Sequence, residues 1–211
     1  MFGLLCDGGV RFLDFAVAAL CRAAGVSRAE DRNQPVLGTA YRLTQTLFVD
    51  RTDQASREAA LRRIRDRAMA EGAWLQLAIF PEGTTTNGRA LVRFRRGAFA
   101  AGTPVQPVVV TYPADGPMDG ATVWTWDMRP GLLARLWLLL ANPVNRVRVD
   151  YLPVYRPTPE EKEDPVLFAG NVQAVMAEFL GVPAMKDVTS HKFLNNNNRP
   201  SSRKAEGEIS K

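Results

Sequence analysis

The chain has 211 residues, 46% of them hydrophobic and 23% charged, with a formal net charge of +5. That length suits one domain with a sizeable buried core, and the mix excludes a disordered or fibrous chain. Only two cysteines occur, Cys6 and Cys21, which argues against a secreted disulfide scaffold and favours a reducing compartment. The positive balance suits an anionic partner (a phosphate-bearing ligand, a membrane surface or nucleic acid) without choosing among them.

The opening, MFGLLCDGGVRFLDFAVAAL, lacks a basic leader and is broken by Asp7, Arg11 and Asp14. It therefore reads neither as a signal peptide nor as a spanning helix, which needs about 18 or more apolar residues. Any membrane contact is expected to be peripheral or to depend on other sequence. The Ala- and Leu-rich stretch Phe12 to Gly25 predicts a helix stopping at Gly25, followed by the charged loop SRAEDRNQP. Leu43 to Val49 predicts a strand that delivers Asp50 and Arg51 at its end. Asp53 then caps a strong helix, DQASREAALRRIRDRAMAEG, with Ala60, Leu61, Ile64 and Ala68 on one side and Gly72 as its stop. Its arginines read most simply as a solvated face.

Leu75 to Phe80 predicts a buried strand running into the turn Pro81-Glu82-Gly83. Val105 to Tyr112 and Val147 to Tyr155 predict two more strands. Between them, GLLARLWLLLA at 131 to 141 is too short to span a bilayer. It fits either a core helix or a helix lying in a membrane interface with Trp137 inserted. Asp164 to Leu180 predicts a final helix, with Pro165 in its first turn and Gly181 past its end. Beyond Asp187 the polar run containing NNNN predicts a disordered tail.

Strands alternating with helices predict an α/β domain, a mostly parallel central sheet flanked by helices. Ligands of such sheets gather beyond the carboxyl ends of the strands, where Arg51 and the 81–83 turn both fall. Within AIFPEGTTTNGRALVRFRRGAF, Gly83 permits close approach of a ligand to the backbone. Its amide and those of Thr84 and Thr85 can bind phosphate oxygens, and Glu82 can accept hydrogen bonds from ligand hydroxyls. A Pro-Glu-Gly turn alone is common and carries little.

The order of motifs carries more. FPEGT, then FRRGAF, then the VQPVVV strand resembles the glycerophospholipid acyltransferase family. LFVDR at 47 to 51 is similar to the family's second motif, ending in Arg51, and Pro107 matches the proline of its fourth. PVLGTAYRLTQTLFVDRTDQASR, VWTWDMRPGLLARLWLLL and DYLPVYRPTPEEKEDPVLFAGNVQAVMAEFLGVP resemble the lysophosphatidylcholine acyltransferase branch. The likeness covers most of residues 10 to 185, although Thr85 stands where the family usually has Cys. It implies a glycerol-phosphate acyltransferase-like domain over 1–186, incomplete at its N-terminus, and a tail over 187–211. It also implies transfer of an acyl group from acyl-CoA, as co-substrate, to a lysophospholipid, with no metal or other cofactor. The substrate-binding positions it implies are Arg51, Glu82, Gly83, Thr84 and Pro107, with Arg51 and Glu82 on the acceptor's phosphate and glycerol. A salt bridge to the following helix is the competing role for Arg51. Association with a membrane surface, at the endoplasmic reticulum, is the expected location.

The family's base is a histidine five residues before an aspartate. An alcohol is a poor nucleophile near neutrality, and an imidazole held by a carboxylate can take its proton. GVRFLDF resembles the end of that motif with Asp14 as the aspartate, but Gly9 stands in the histidine's place. The sole histidine, His191, lies in the predicted tail. General-base help amounts to roughly 10²–10⁴ in rate, about 3–5 kcal/mol of barrier, so turnover is expected to be slow. Two explanations stand: a truncated or alternative N-terminus, or a catalytically silent lipid- or membrane-binding pseudoenzyme. Nucleic acid is not expected as a partner, since no zinc spacing, RNA-binding signature or basic recognition helix occurs.

Overall fold

The computed structural model describes residues 2–7, 22–34, 37–50, 52–70, 72, 74–83, 90–111, 137, 140, 141, 144 and 146–186. Among them are seven strands: β1 Phe2–Asp7, β2 Ala23–Ala24, β3 Val26–Arg28, β4 Leu47–Val49, β5 Gln76–Ile79, β6 Val105–Thr111 and β7 Arg148–Tyr151. The sheet order is β2-β5-β1-β6-β7, with every pair parallel except β6–β7. Separated from β2 by Gly25 alone, β3 pairs in parallel with β4. The expected mostly parallel sheet is present, closed on one side by an antiparallel strand.

Four α-helices are described: α1 Leu37–Leu43, α2 Gln54–Met69, α3 Pro159–Glu163 and α4 Pro165–Leu180. Helix α2 begins as its sequence predicts, Asp53 accepting from the amides of Ala55 at 3.2 Å and Ser56 at 2.8 Å. Pro165 starts α4 at N1, Asp164 caps it, and Gly181 ends it at φ 66°. Both helices bury their apolar sides on the same face of the sheet. Ile64 of α2 and Phe168, Val172 and Met176 of α4 join Leu77, Val105 and Val109 in one core. The alternate positions Ala78, Val108 and Val110 face the other way, into a smaller cluster with Ala23.

Three sequence readings change. Ala23 and Ala24 form a buried strand beside Gln76 and Leu77, so no helix runs on to Gly25. Leu43 ends helix α1 instead of opening a strand, and β4 starts at Leu47. The strand expected over Val147 to Tyr155 is interrupted by a bulge. Val105 and Tyr155 exchange both backbone bonds, at 3.0 and 2.8 Å, and Leu152 donates to Pro107 O at 3.0 Å. Two steps along β6 thus face three steps from Leu152 to Tyr155. Pro107 has no N–H to return to the Leu152 carbonyl, and the side-chain amide of the neighbouring Gln106 donates to it instead.

The expected helix over Phe12 to Cys21, most of 131–141 and the tail beyond Lys186 lie outside the described residues. Trp137 and Leu140 are described, at 72% and 74% exposure, which does not fit a core helix at those two positions. No helix among the described residues is long and apolar enough to cross a membrane.

Candidate active site

The carboxyl end of β5 runs into a turn closed by the Gly83 amide donating to Phe80 O at 3.2 Å. Proline at its second position and glycine at its fourth suit that turn. Gly83 adopts φ 63°, which a side chain disfavours. Pro81 is fully buried, and Glu82 is buried at 4% exposure. A carboxylate is rarely buried so deeply at the end of a strand for packing alone.

FRRGAF holds this turn in place. The Arg95 amide donates to Pro81 O at 2.7 Å. Phe94 and Phe99 stack at 6.2 Å, and Phe99 meets Phe168 of α4 edge-on at 5.0 Å. Gly97 lets α2 come close, since a Cβ there would lie 3.2 Å from Leu61 Cδ2. The Arg95 side chain lies against Gly83, where an added Cβ would meet its Cγ at 3.2 Å and its Nε at 3.5 Å. Sequence reasoning gave Arg95 no role; the FRRGAF string was the only signal for it.

Strand β4 ends on the same edge. Ala24 pairs with Leu77, and Val26 pairs with Leu47, so across β2 and β3 the register sets Leu47 level with Ile79 and Val49 level with Pro81. Asp50 therefore follows β4 as Glu82 follows β5. Its Oδ1 accepts from the Thr52 amide at 2.8 Å and hydroxyl at 2.6 Å, and its own amide donates to Ser56 Oγ at 3.1 Å. The Thr52 hydroxyl and amide hold the Asp50 carboxyl below its ordinary range. The short loop into α2 is thereby braced on both sides of position 51.

Strand β1 lies between β5 and β6, with Asp7 beside Val110, so Gly8 and Gly9 follow its carboxyl end in sequence. Pro107 is buried within β6 beside Leu4, four residues before the strand's end at Thr111. Of the expected site residues, Glu82, Gly83 and Pro107 are described. Asp14, Arg51 and Thr84 lie outside the described residues, as do Gly9, Thr85 and His191. The described ends of β4 and β5, Val49-Asp50 and Pro81-Glu82-Gly83, thus fall on one edge of the sheet. The family is decided by residues 12–111, which match the family described as Acyltransferase. The chain carries an acyltransferase-family domain over those residues.

Among its relatives, lysophospholipid acyltransferase LPCAT4 of Homo sapiens is 49% identical over 159 residues, 75% of this chain and 30% of that protein. Lysophosphatidylcholine acyltransferase 1 of Homo sapiens is 44% identical over 182 residues, 86% of this chain and 33% of that protein. The lysophosphatidylcholine acyltransferase of Drosophila melanogaster is 46% identical over 158 residues. The chain spans about a third of the length of these relatives. The crystal structure of the 1-acyl-sn-glycerophosphate acyltransferase PlsC of Thermotoga maritima shares the fold, with a TM-score of 0.52 at 16% identity. That match covers 85% of this chain and 66% of the other.

Proposed function

We propose that this acyltransferase-family chain binds a lysophospholipid at the carboxyl edge of its sheet and supports its acylation from acyl-CoA. The observation that carries the reading is the buried Glu82 carboxylate on a turn level with the end of β4, whose last residue, Val49, stands two residues before Arg51 in sequence. Glu82 would accept from the acceptor's glycerol hydroxyl, while Arg51 and the amides of Gly83 and Thr84 would hold its phosphate. In the reaction, the acceptor hydroxyl oxygen attacks the thioester carbonyl carbon. The C–S bond breaks, CoA leaves as thiolate, and the hydroxyl proton ends on that sulfur. No metal or prosthetic group is called for.

Gly9 has no side chain to carry the proton, and Asp14 has no imidazole to orient, so the proposed chemistry is slow in this chain. A membrane-associated location, at the endoplasmic reticulum, follows from the same resemblance. The exposed Trp137, Leu140 and Val144, on the segment between β6 and β7, would meet the bilayer on the active edge. The competing reading, a silent lipid-binding module, rests on Gly9 itself. Thiol release with oleoyl-CoA and lysophosphatidylcholine separates the two. Gly9→His should raise the rate roughly 10²–10⁴-fold, and Gly9→His with Glu82→Gln should lose that gain. A Gly9→His protein that binds lysophosphatidylcholine but never releases CoA would leave the binding-module reading standing.

A further inference from the structure

On the opposite edge of the sheet, where β5 and β6 begin and β7 ends, lies a groove of about 600 Å³. Arg67, Met69, Trp74, Pro104, Val154 and Arg156 are among its walls. Five strand steps, roughly 16 Å, separate Leu75 at this edge from Phe80 at the other, so the two sites are distinct.

The groove is arranged around two guanidiniums and an indole. The Arg67 guanidinium lies 4.5 Å over the Trp74 ring, and its Nη1 donates to Gln45 O at 2.6 Å, which fixes its plane. Burial, and then the neighbouring Arg63, pull the Arg67 pKa below its ordinary range, though the group stays charged. Arg156 is delivered by the chain just past the Tyr155 bulge. No described wall residue is acidic, and the ion pairs among the described residues, Arg62–Glu58 and Arg148–Asp150, involve neither arginine. Two cations in one concavity, with no carboxylate among its described walls, focus positive potential there. Trp74 remains 49% exposed beneath its arginine, leaving ring surface open to a flat partner.

We propose that this groove is a second ligand site, taking a soluble nucleoside phosphate with its ring against Trp74 and its phosphates between Arg67 and Arg156. Arginine forks suit phosphate oxygens, and base stacking on an indole is sequence-tolerant and substantial. The choice of a soluble ligand over a lipid headgroup rests on the reading that the opposite edge faces the membrane.

Calorimetric titration with ADP, inorganic pyrophosphate, and vesicles of phosphatidylcholine with phosphatidic acid tests the site. ADP should bind, pyrophosphate more weakly, and the vesicles should not compete with ADP. Arg156→Gln and Trp74→Leu should each weaken ADP roughly tenfold. Both side chains are exposed enough for unchanged melting to certify the fold. Glu82→Gln should bind ADP as the parent does, whatever happens to lysophospholipid binding. No ADP binding, equal binding by Arg156→Gln, competition by the vesicles, or loss through Glu82→Gln in place of Arg156→Gln would each overturn the proposal.

Discussion

Gly83 and Arg95 are packed against each other. The arginine's Cγ would lie 3.2 Å from a Cβ on the glycine, and its amide donates at 2.7 Å to Pro81 O, two residues before that glycine. The FPEG turn and the FRRGAF segment are therefore one unit, with the glycine supplying both the left-handed backbone and the space for the arginine stem. The unit is tied to α4 through Phe94, Phe99 and Phe168. Movement at the turn is thus opposed by the main aromatic core.

Gly83→Ala tests that unit. An alanine at φ 63° costs about 1–2 kcal/mol in backbone strain, and its methyl group must also displace the Arg95 stem. At about 2–4 °C per kcal/mol for a chain of this size, the melting temperature should fall by about 2–8 °C. Arg95→Ala in the same background should return part of the steric share and leave the φ share. A Gly83→Ala protein melting with the parent would show that the turn is not so constrained.

The bulge beside Pro107 gives a cleaner test. Gln106 serves the Leu152 carbonyl only because proline has no N–H to offer it. Gln106→Leu should destabilise by about 1–3 kcal/mol through an unsatisfied buried carbonyl. Adding Pro107→Ala restores a backbone donor at the paired position, so the double variant should recover most of the loss. Denaturant unfolding of the four proteins gives the coupling directly, and simple additivity would refute the substitution of one donor for the other.

What was legible in the sequence follows from where the information lay. Helix α2 was readable because Asp53 caps it and Ala60 and Ile64 recur at helical spacing, both buried as expected. Helix α4 was readable through Pro165 and Gly181. Ala23 and Ala24 were misread because alanine favours helices locally, whereas here two alanines fill the narrow space beside β5. Helix α1 was hidden because LGTAYRL is only seven residues, holds a glycine, and has no capping signature.

At the candidate site, the turn holding Glu82 and Gly83 was legible because a strand runs straight into Pro-Glu-Gly, while the proposed role of both residues came from the order of motifs. Arg95 was not, since an arginine run reads as a solvated face and its role is a through-space contact with Gly83. Glu161 was also missed, although Thr158-Pro159-Glu160-Glu161 carries a capping-box signature.

That residue predicts a pH profile. Glu161 is 1% exposed and accepts from Tyr155 Oη at 2.7 Å, the Thr158 amide at 2.7 Å and Asn171 Nδ2 at 2.6 Å. Burial, the largest influence, raises its pKa, but the donors Tyr155, Asn171 and Thr158 together outweigh it and hold the carboxyl low. Tyr155 is pushed up to about 12, by burial first and then by its bond to Glu161. A lowered carboxyl pKa contributes stability above its unfolded value, near 4.5, that is lost as pH falls through the folded one. A raised phenol contributes stability below about 10 that is lost as pH climbs towards 12. Glu161→Gln should lower the melting temperature at neutral pH by about 3–12 °C, as the loss of a bond to a charged group predicts. It should also flatten the acid limb relative to the parent. Parallel acid limbs would place the acid sensitivity elsewhere.

The segment between β6 and β7 leaves the sheet at the active edge and returns to it there, because β7 runs antiparallel to β6. Its described large apolar side chains, Trp137, Leu140 and Val144, are all largely exposed, Trp137 and Leu140 most of all. Exposed groups contribute little to folding, so Trp137→Ser with Leu140→Ser should leave the melting temperature within about 2 °C. If the two insert into a bilayer, each removes apolar surface equivalent to about 1.5–3 kcal/mol, so phosphatidylcholine vesicle binding should fall at least tenfold for the pair. High salt should not reproduce that loss, since the contact is apolar and not electrostatic. A large drop in melting temperature with unchanged vesicle binding would restore the core-helix reading and remove the support this segment gives for a membrane-facing active edge.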